Sequence, residues 1–238
     1  NGINVMLTVQ GSSERNITVV INREDEAKTL NTIHEAFFLS DTYSLNLFIV
    51  GVGLIGKTML AQIQENSSFL REKQYIDVNV IALSNSKRMV FEESGIDLNS
   101  WKASLDASQD AADLKGFVEQ MIAMNLPNSI FVDNTANEEI SSYYPQILDN
   151  SISVSTPNKV AASAQYEQYR DLKAIADRRG VVYAYETNVG AGLPVITTIA
   201  DLVNSGDRIE KIEGILSGSL SFIFNNYTGK RHRPRKQR

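Results

Sequence analysis

Three glycines carry the strongest chemical signal in the 238-residue sequence. Gly51-Val52-Gly53-Leu54-Ile55-Gly56 is a G-x-G-x-x-G run, placed directly after the apolar stretch Leu45–Val50 and directly before an apolar helical pattern over Ile55–Gln64. Each spacing has a physical use. A glycine at 51 permits a tight turn, one at 53 lets the backbone approach a pyrophosphate, and one at 56 lets the helix pack closely on the strand. The pyrophosphate would sit at the helix N-terminus, where unpaired N–H groups and the helix dipole favour an anion. The strand before and the helix after separate this pattern from a plain glycine-rich turn.

The tip of the next strand, Val78–Leu83, reports which dinucleotide is held. An NAD site usually offers an acid there to the ribose 2′-hydroxyl. This chain has Ser84-Asn85-Ser86-Lys87-Arg88, with no acid and two cations. Lys87 and Arg88 are suited to a 2′-phosphate, which points to NADP with NAD as the remaining option; a solvated basic helix start is the alternative. Two further polar clusters follow strands, at the ends where parallel sheets bind ligands: Asp133-Asn134-Thr135-Ala136 and Ser155-Thr156-Pro157-Asn158-Lys159. Asp133 reads best as the N-cap of a helix over Asn137–Ser141. Lys159 is either a substrate or nicotinamide contact or a surface lysine. The run Tyr185-Glu186-Thr187-Asn188-Val189-Gly190-Ala191-Gly192-Leu193-Pro194 sets an anion among small residues. Its oxygens suit a hard cation, and it also suits a hinge between domains. Gly218 and Ser219 offer N–H and hydroxyl groups to a small polar ligand.

These residues need a scaffold, and the pattern supplies one. Strands are expected at Leu45–Val50, Val78–Leu83, Ser129–Val132, Ile152–Ser155 and Val181–Tyr185. Helices are expected at Ile55–Gln64, Ala112–Met124 and Ala162–Arg179. Strands alternating with helices imply βαβ units, a parallel sheet and right-handed crossovers. Before this block, Val5–Val9 and Ile17–Ile21 read as strands around the polar turn Gly11–Arg15. A helix follows through Ala27, Leu30, Ile33 and Phe37, capped by Asp25. After it, a helix through Ile196, Ile199, Leu202 and Val203 leads into Ile209–Ile215 and a strand at Leu220–Phe224. The fold class is therefore α/β, a Rossmann-type parallel sheet with helices on both faces, followed by the start of an α+β domain.

Composition narrows the function. The chain is 42% hydrophobic and 21% charged, within the globular range. It has no cysteine and only two histidines, His34 and His232, so thiolate and histidine metal sites have nothing to draw on. No run approaches the ~20 apolar residues of a membrane span, and no leader opens the chain, so a cytoplasmic enzyme without membrane partners is expected. Net charge is −5, yet six of the 23 Lys/Arg lie in Lys230–Arg238, where none of the 28 acids falls. The acidic body would repel nucleic acid, and the basic end reads as an unstructured or appended tail.

Taken together, Gly51–Gly56, Ser84–Lys87, Asp133-Asn134-Thr135, Thr156-Pro157-Asn158-Lys159, Glu186–Pro194 and Gly214-Ile-Leu-Ser-Gly-Ser-Leu-Ser221 resemble homoserine dehydrogenase, in order and spacing, from about Leu45 to Tyr227. Asn4–Glu14 followed by Ile17–Ile21 resembles the end of the ACT-type regulatory region of aspartate kinase. The two together resemble the bifunctional aspartokinase/homoserine dehydrogenases. The resemblance implies NAD(P)H-dependent interconversion of aspartate 4-semialdehyde and homoserine, in threonine and methionine biosynthesis, by a homo-oligomer. It implies cofactor contacts at Gly51 to Gly56, including Val52, Leu54 and Ile55, and at Asn85, Ser86, Lys87, Arg88 and Thr135. Ala136 stands where many members have serine, so that contact is lost. The resemblance further implies a cofactor and substrate contact at Lys159, substrate contacts at Gly218 and Ser219, and sodium or potassium ligands at Glu186, Val189, Ala191 and Leu193. The implied domains are an ACT remnant over 1–40, a cofactor domain over 41–192, the start of a substrate domain over 193–227 and a non-family tail over 228–238. The family's acid–base lysine matches no residue here, so weak turnover is expected. The alternative is a catalytically dead nucleotide-binding or regulatory module.

Overall fold

The computed structural model describes residues 2–11, 16–34, 37, 42–215 and 217–227. They fall into two compact units, divided between Tyr185 and Glu186. The basic tail and most of the Gly11–Arg15 turn lie outside the described residues.

The first unit opens with an antiparallel hairpin, β1 (Val5–Gln10) and β2 (Ile17–Ile21). Helix α1 (Glu26–His34) follows. Asp25 ends a 3-10 turn, Arg23–Asp25, that runs directly into α1. The helix seats on the next block through Lys28, whose buried Nζ donates to Asn125 Oδ1 at 3.1 Å.

The rest of the unit is one six-stranded sheet in the order β5-β4-β3-β6-β7-β8. The strands are β3 (Tyr43–Val50), β4 (Ile76–Ser84), β5 (Met89–Phe91), β6 (Ser129–Asp133), β7 (Ser153–Ser155) and β8 (Tyr183–Ala184). All neighbours pair parallel except β4 and β5. Counted from β3, this is the 3-2-1-4-5-6 order of the dinucleotide fold with its third strand reversed. Sequence alone did not indicate β5. Three residues are too few for a period, and what builds the hairpin is the Asn85 side chain, whose Oδ1 accepts the N–H groups of Lys87 (2.7 Å) and Arg88 (2.8 Å).

Period-2 alternation sends Phe48, Phe131, Val154 and Tyr183 to one face, under α4 (Leu114–Met124), α5 (Tyr144–Asp149) and α6 (Tyr166–Arg179). Leu47, Ile49 and Val132 go to the other, with α2 (Leu54–Lys73) and α3 (Trp101–Ala107). Central strands buried on both faces read as unbroken apolar runs, as Leu47–Val50 does. Each fully buried Phe or Leu here contributes roughly 1.5–3 kcal/mol. Helix α2 runs past Gln64 to Lys73 because its second half, Glu65–Lys73, is a polar surface helix whose Arg71 pairs with Asp77 at 2.7 Å.

The second unit holds α7 (Val195–Asn204) and α8 (Gly218–Asn226). Helix α8 corrects the expected strand at Leu220–Phe224. Leu220, Ile223 and Phe224 lie at i, i+3, i+4, and the Ser217 hydroxyl caps the helix by accepting the Leu220 N–H at 3.2 Å. Among the described residues, Ile209–Ile215 forms no regular element.

Candidate functional site

The ends of β3, β4 and β6 meet where the strand order reverses, which is where open α/β sheets bind ligands. Two backbone bonds tie them: Gly51 N–H donates to the Ser84 carbonyl and Asn134 N–H to the Val50 carbonyl, both at 2.8 Å. A cavity of about 980 Å³ opens above them, lined by Gly51–Gly53, Ser84–Lys87 and Asn134–Asn137.

Each glycine has its own constraint. Gly51 has φ +95°, and a side chain there would press on Thr135 Cγ2 at 2.8 Å. A Cβ at Gly56 would overlap the Gly51 carbonyl oxygen. Gly53 meets no atom within 4 Å, so the space over the start of α2 is open. Gly53 also supplies the first helical acceptor, taking the Lys57 N–H at 3.0 Å. By helix geometry the N–H groups of Leu54, Ile55 and Gly56 have no intrahelical partner. This cradle fits a pyrophosphate.

At the tip of β4 the two cations separate. Lys87 is exposed and lines the cavity. The Arg88 guanidinium turns away, donating to the Ser108 carbonyl, and does not line it. Trp101, Lys102 and Lys115 line the cavity too, alongside Asp106 and Asp113. None of these five was legible as a site residue, because α3 itself was not expected and α4 was read only as a scaffold.

Asp133 is fully buried and caps no helix, which corrects its expected role. Its carboxylate accepts from Thr135 N–H (2.8 Å), the Tyr144 hydroxyl (2.6 Å) and Asn158 Nδ2 (2.9 Å). Burial, then the adjacent Asp133 carboxylate, push the Tyr144 phenol far above the usual tyrosine range, so it keeps its proton and donates. Lys159 follows Asn158 directly, is exposed, and does not itself line the cavity.

In the second unit, Glu186 caps α7. Its carboxylate accepts the Ile196 and Thr197 N–H groups at 2.8 Å and the Thr197 hydroxyl. These bonds, chiefly the Thr197 hydroxyl, hold its pKa below the usual glutamate value. The Leu193 carbonyl accepts the Val195 N–H at 2.9 Å, and Ala191 has φ +53°. The Glu186 carboxylate and the Leu193 carbonyl thus both take part in starting α7. Gly218 and Ser219 form the exposed first turn of α8. Among the described residues no group of three or more His, Cys, Asp or Glu could hold a metal ion, and no helix is long and apolar enough to cross a membrane.

Strand order, glycine turn and cavity define the class: a Rossmann-type dinucleotide-binding domain. The family described as "Homoserine dehydrogenase, NAD binding domain" matches residues 51–186, "Homoserine dehydrogenase" matches 194–236, and "ACT domain" matches 1–37. The chain belongs to the homoserine dehydrogenase family of oxidoreductases. It is 44% identical over 230 residues to the chloroplastic bifunctional aspartokinase/homoserine dehydrogenase 2 of Arabidopsis thaliana, covering 96% of this chain and 25% of that protein. It is 36% identical over 222 residues to the bifunctional enzyme of Haemophilus influenzae, covering 93% of this chain and 27% of that one. The chain thus spans about a quarter of the length of these relatives. A hyperthermophilic archaeal homoserine dehydrogenase solved in complex with NADPH superposes with TM-score 0.53 at 25% identity, over 66% of this chain and 48% of that one.

Proposed function

We propose that this chain supplies the cofactor-binding part of an NADP-dependent homoserine dehydrogenase, interconverting aspartate 4-semialdehyde and homoserine. The carrying observation is the cavity at the strand-order reversal, with open space over Gly53, Lys87 on its wall and no acid at the tip of β4. The N–H groups of Leu54–Gly56 hold the pyrophosphate, and Lys87, with Asn85 and Ser86, holds the 2′-phosphate. The cofactor, when bound, supplies or takes the hydride. Thr135 and Lys159 act at its nicotinamide end, and Gly218 and Ser219 receive the substrate. The domain division follows the sequence reading, with 1–40 regulatory, 41–192 for the cofactor and 193–227 for the substrate. The chain works in the cytoplasm as part of a homo-oligomer; its recovery in a plastid fraction, or as a monomer by light scattering, would overturn these two points.

Trp101 is the only tryptophan and lines the cavity, so its fluorescence reports binding directly. Saturable quenching by NADPH, stronger than by NADH, is the expected result. Absence of quenching by either nucleotide rejects the proposal.

A further inference from the structure

We propose that Asp133 is a positioning residue for the nicotinamide end of the cofactor, acting through Tyr144 and Asn158 on Lys159. The inference rests on the cofactor reading above.

A buried carboxylate is costly unless its oxygens are satisfied. Asp133 is fully buried, and none of the ion pairs among the described residues includes it. Three donors hold it instead, from three different pieces of chain: Thr135 in the loop after β6, Tyr144 at the start of α5, and Asn158 in the loop after β7. The Asp133 carbonyl accepts the Thr156 hydroxyl at 2.9 Å, and that hydroxyl oxygen accepts the Asn158 N–H at 2.8 Å. Asn158 Nδ2 donates at 2.9 Å to the carbonyl of Asn137, which lines the cavity. The loop after β7 is thereby locked to the cavity wall one residue before Lys159.

A core position needing only packing would not hold a charge. The carboxylate serves geometry: it lets one side chain accept on both oxygens at once. An amide at 133 would keep an oxygen for the Thr135 N–H, but its NH2 would face the Asn158 NH2, donor against donor. The network also lies entirely in the second half of the sheet. The first half, β3 to β5, carries Gly53 and Lys87 and serves one mononucleotide; β6 to β8 underlie the other.

The test compares two probes on the chain, both followed by Trp101 quenching: NADPH, and adenosine 2′,5′-bisphosphate, which lacks the nicotinamide half. Asp133→Asn should weaken NADPH about tenfold, the worth of a hydrogen bond to a charged group, and leave the bisphosphate unchanged. Lys159→Ala should show the same selectivity. The Asp133→Asn, Lys159→Ala double variant should lose less than the product of the single losses, since both act through one contact. Equal weakening of both probes, no weakening of NADPH, or fully multiplicative losses would overturn the proposal. Should Asp133→Asn not fold, Tyr144→Phe keeps the ring packed near Phe131 and must show the same selective loss; an unselective loss or none would overturn it equally. Wild type binding neither probe overturns the cofactor reading itself, and this inference with it. Wild type binding both, with variants unselective, overturns the positioning role alone.

Discussion

Gly56 sits with its missing side chain against the backbone oxygen of Gly51, so that a Cβ at 56 would occupy the same space as the Gly51 carbonyl. Gly53, between them in sequence, has no atom within 4 Å of a notional Cβ. The two glycines therefore fail differently. Gly56→Ala must push α2 off β3 and should cost about 1–3 kcal/mol, the range for overpacking a filled site. Gly53→Ala should melt with the wild type yet bind NADPH about tenfold or more weakly, because the methyl enters the space the pyrophosphate needs. Thermal melts and Trp101 quenching on the two variants check this. A Gly53→Ala protein with normal affinity would show that the phosphates lie elsewhere.

Lys87 and Arg88 are neighbours in sequence and opposites in geometry, one on the cavity wall and one bound to the Ser108 carbonyl. Lys87→Ala should lower NADPH affinity about tenfold and leave NADH nearly unchanged, since only the 2′-phosphate loses a charge-assisted bond. Arg88→Ala should leave the NADPH-to-NADH ratio intact while costing about 1 kcal/mol of stability, the worth of an ordinary hydrogen bond. Titrations with both nucleotides read the first effect and denaturant melts the second. A shift in the ratio for Arg88→Ala would place its guanidinium at the phosphate.

The contrast shows what sequence can and cannot hold. The glycine turn was legible because a strand, three fixed glycines and a helix leave one arrangement open, and central strands such as Leu47–Val50 announce burial by composition. Strand β5 and helix α3 were not legible. They are short, and the hairpin before β5 is fixed by the Asn85 side chain rather than by periodicity. Helix α8 was misread because Leu220–Phe224 is apolar enough for either period, and the Ser217 cap that decides the matter is a three-dimensional contact. Asp133 looked like a cap because Asp often is one; that Tyr144 and Asn158 converge on it depends on α5 and the loop after β7, which sequence does not bring together.

Tyr183 is a buried residue whose hydroxyl has no hydrogen-bond partner among the described residues, and it lies among the rings of Tyr144 and Tyr185. Burial pushes its phenol up to about 12. Tyr183→Phe removes an unsatisfied polar atom while keeping the ring, so stability at neutral pH should be equal or higher by up to about 1 kcal/mol. The folded pKa lies above the unfolded value of about 10, so whatever the neutral phenol contributes is complete below pH ~10 and is lost as pH rises towards the folded pKa. The advantage of Tyr183→Phe should therefore widen above pH ~10. Urea melts at pH 7 and pH 10.5 check both points, and a clear loss of stability at pH 7 would mean that the hydroxyl has a partner.

Glu186 offers the converse case at acid pH. Its carboxylate closes the first turn of α7, with the Thr197 hydroxyl, then the N–H groups, holding its pKa below the usual glutamate value. A depressed folded pKa means stabilisation that is full above the unfolded pKa, about 4.3, and is lost as pH falls through the folded value. Hydrogen exchange at Val195–Asn204, corrected for intrinsic rates, should show protection that is constant near neutrality and declines below pH ~4. Glu186→Gln should show reduced protection at pH 7, since an amide replaces one acceptor with a donor, and no further acid-dependent step. The same measurement separates a cap from an ion ligand. If potassium raised protection at Val195–Asn204 above that in choline at equal ionic strength, the carboxylate would be holding a cation; equal protection in both salts leaves it on α7.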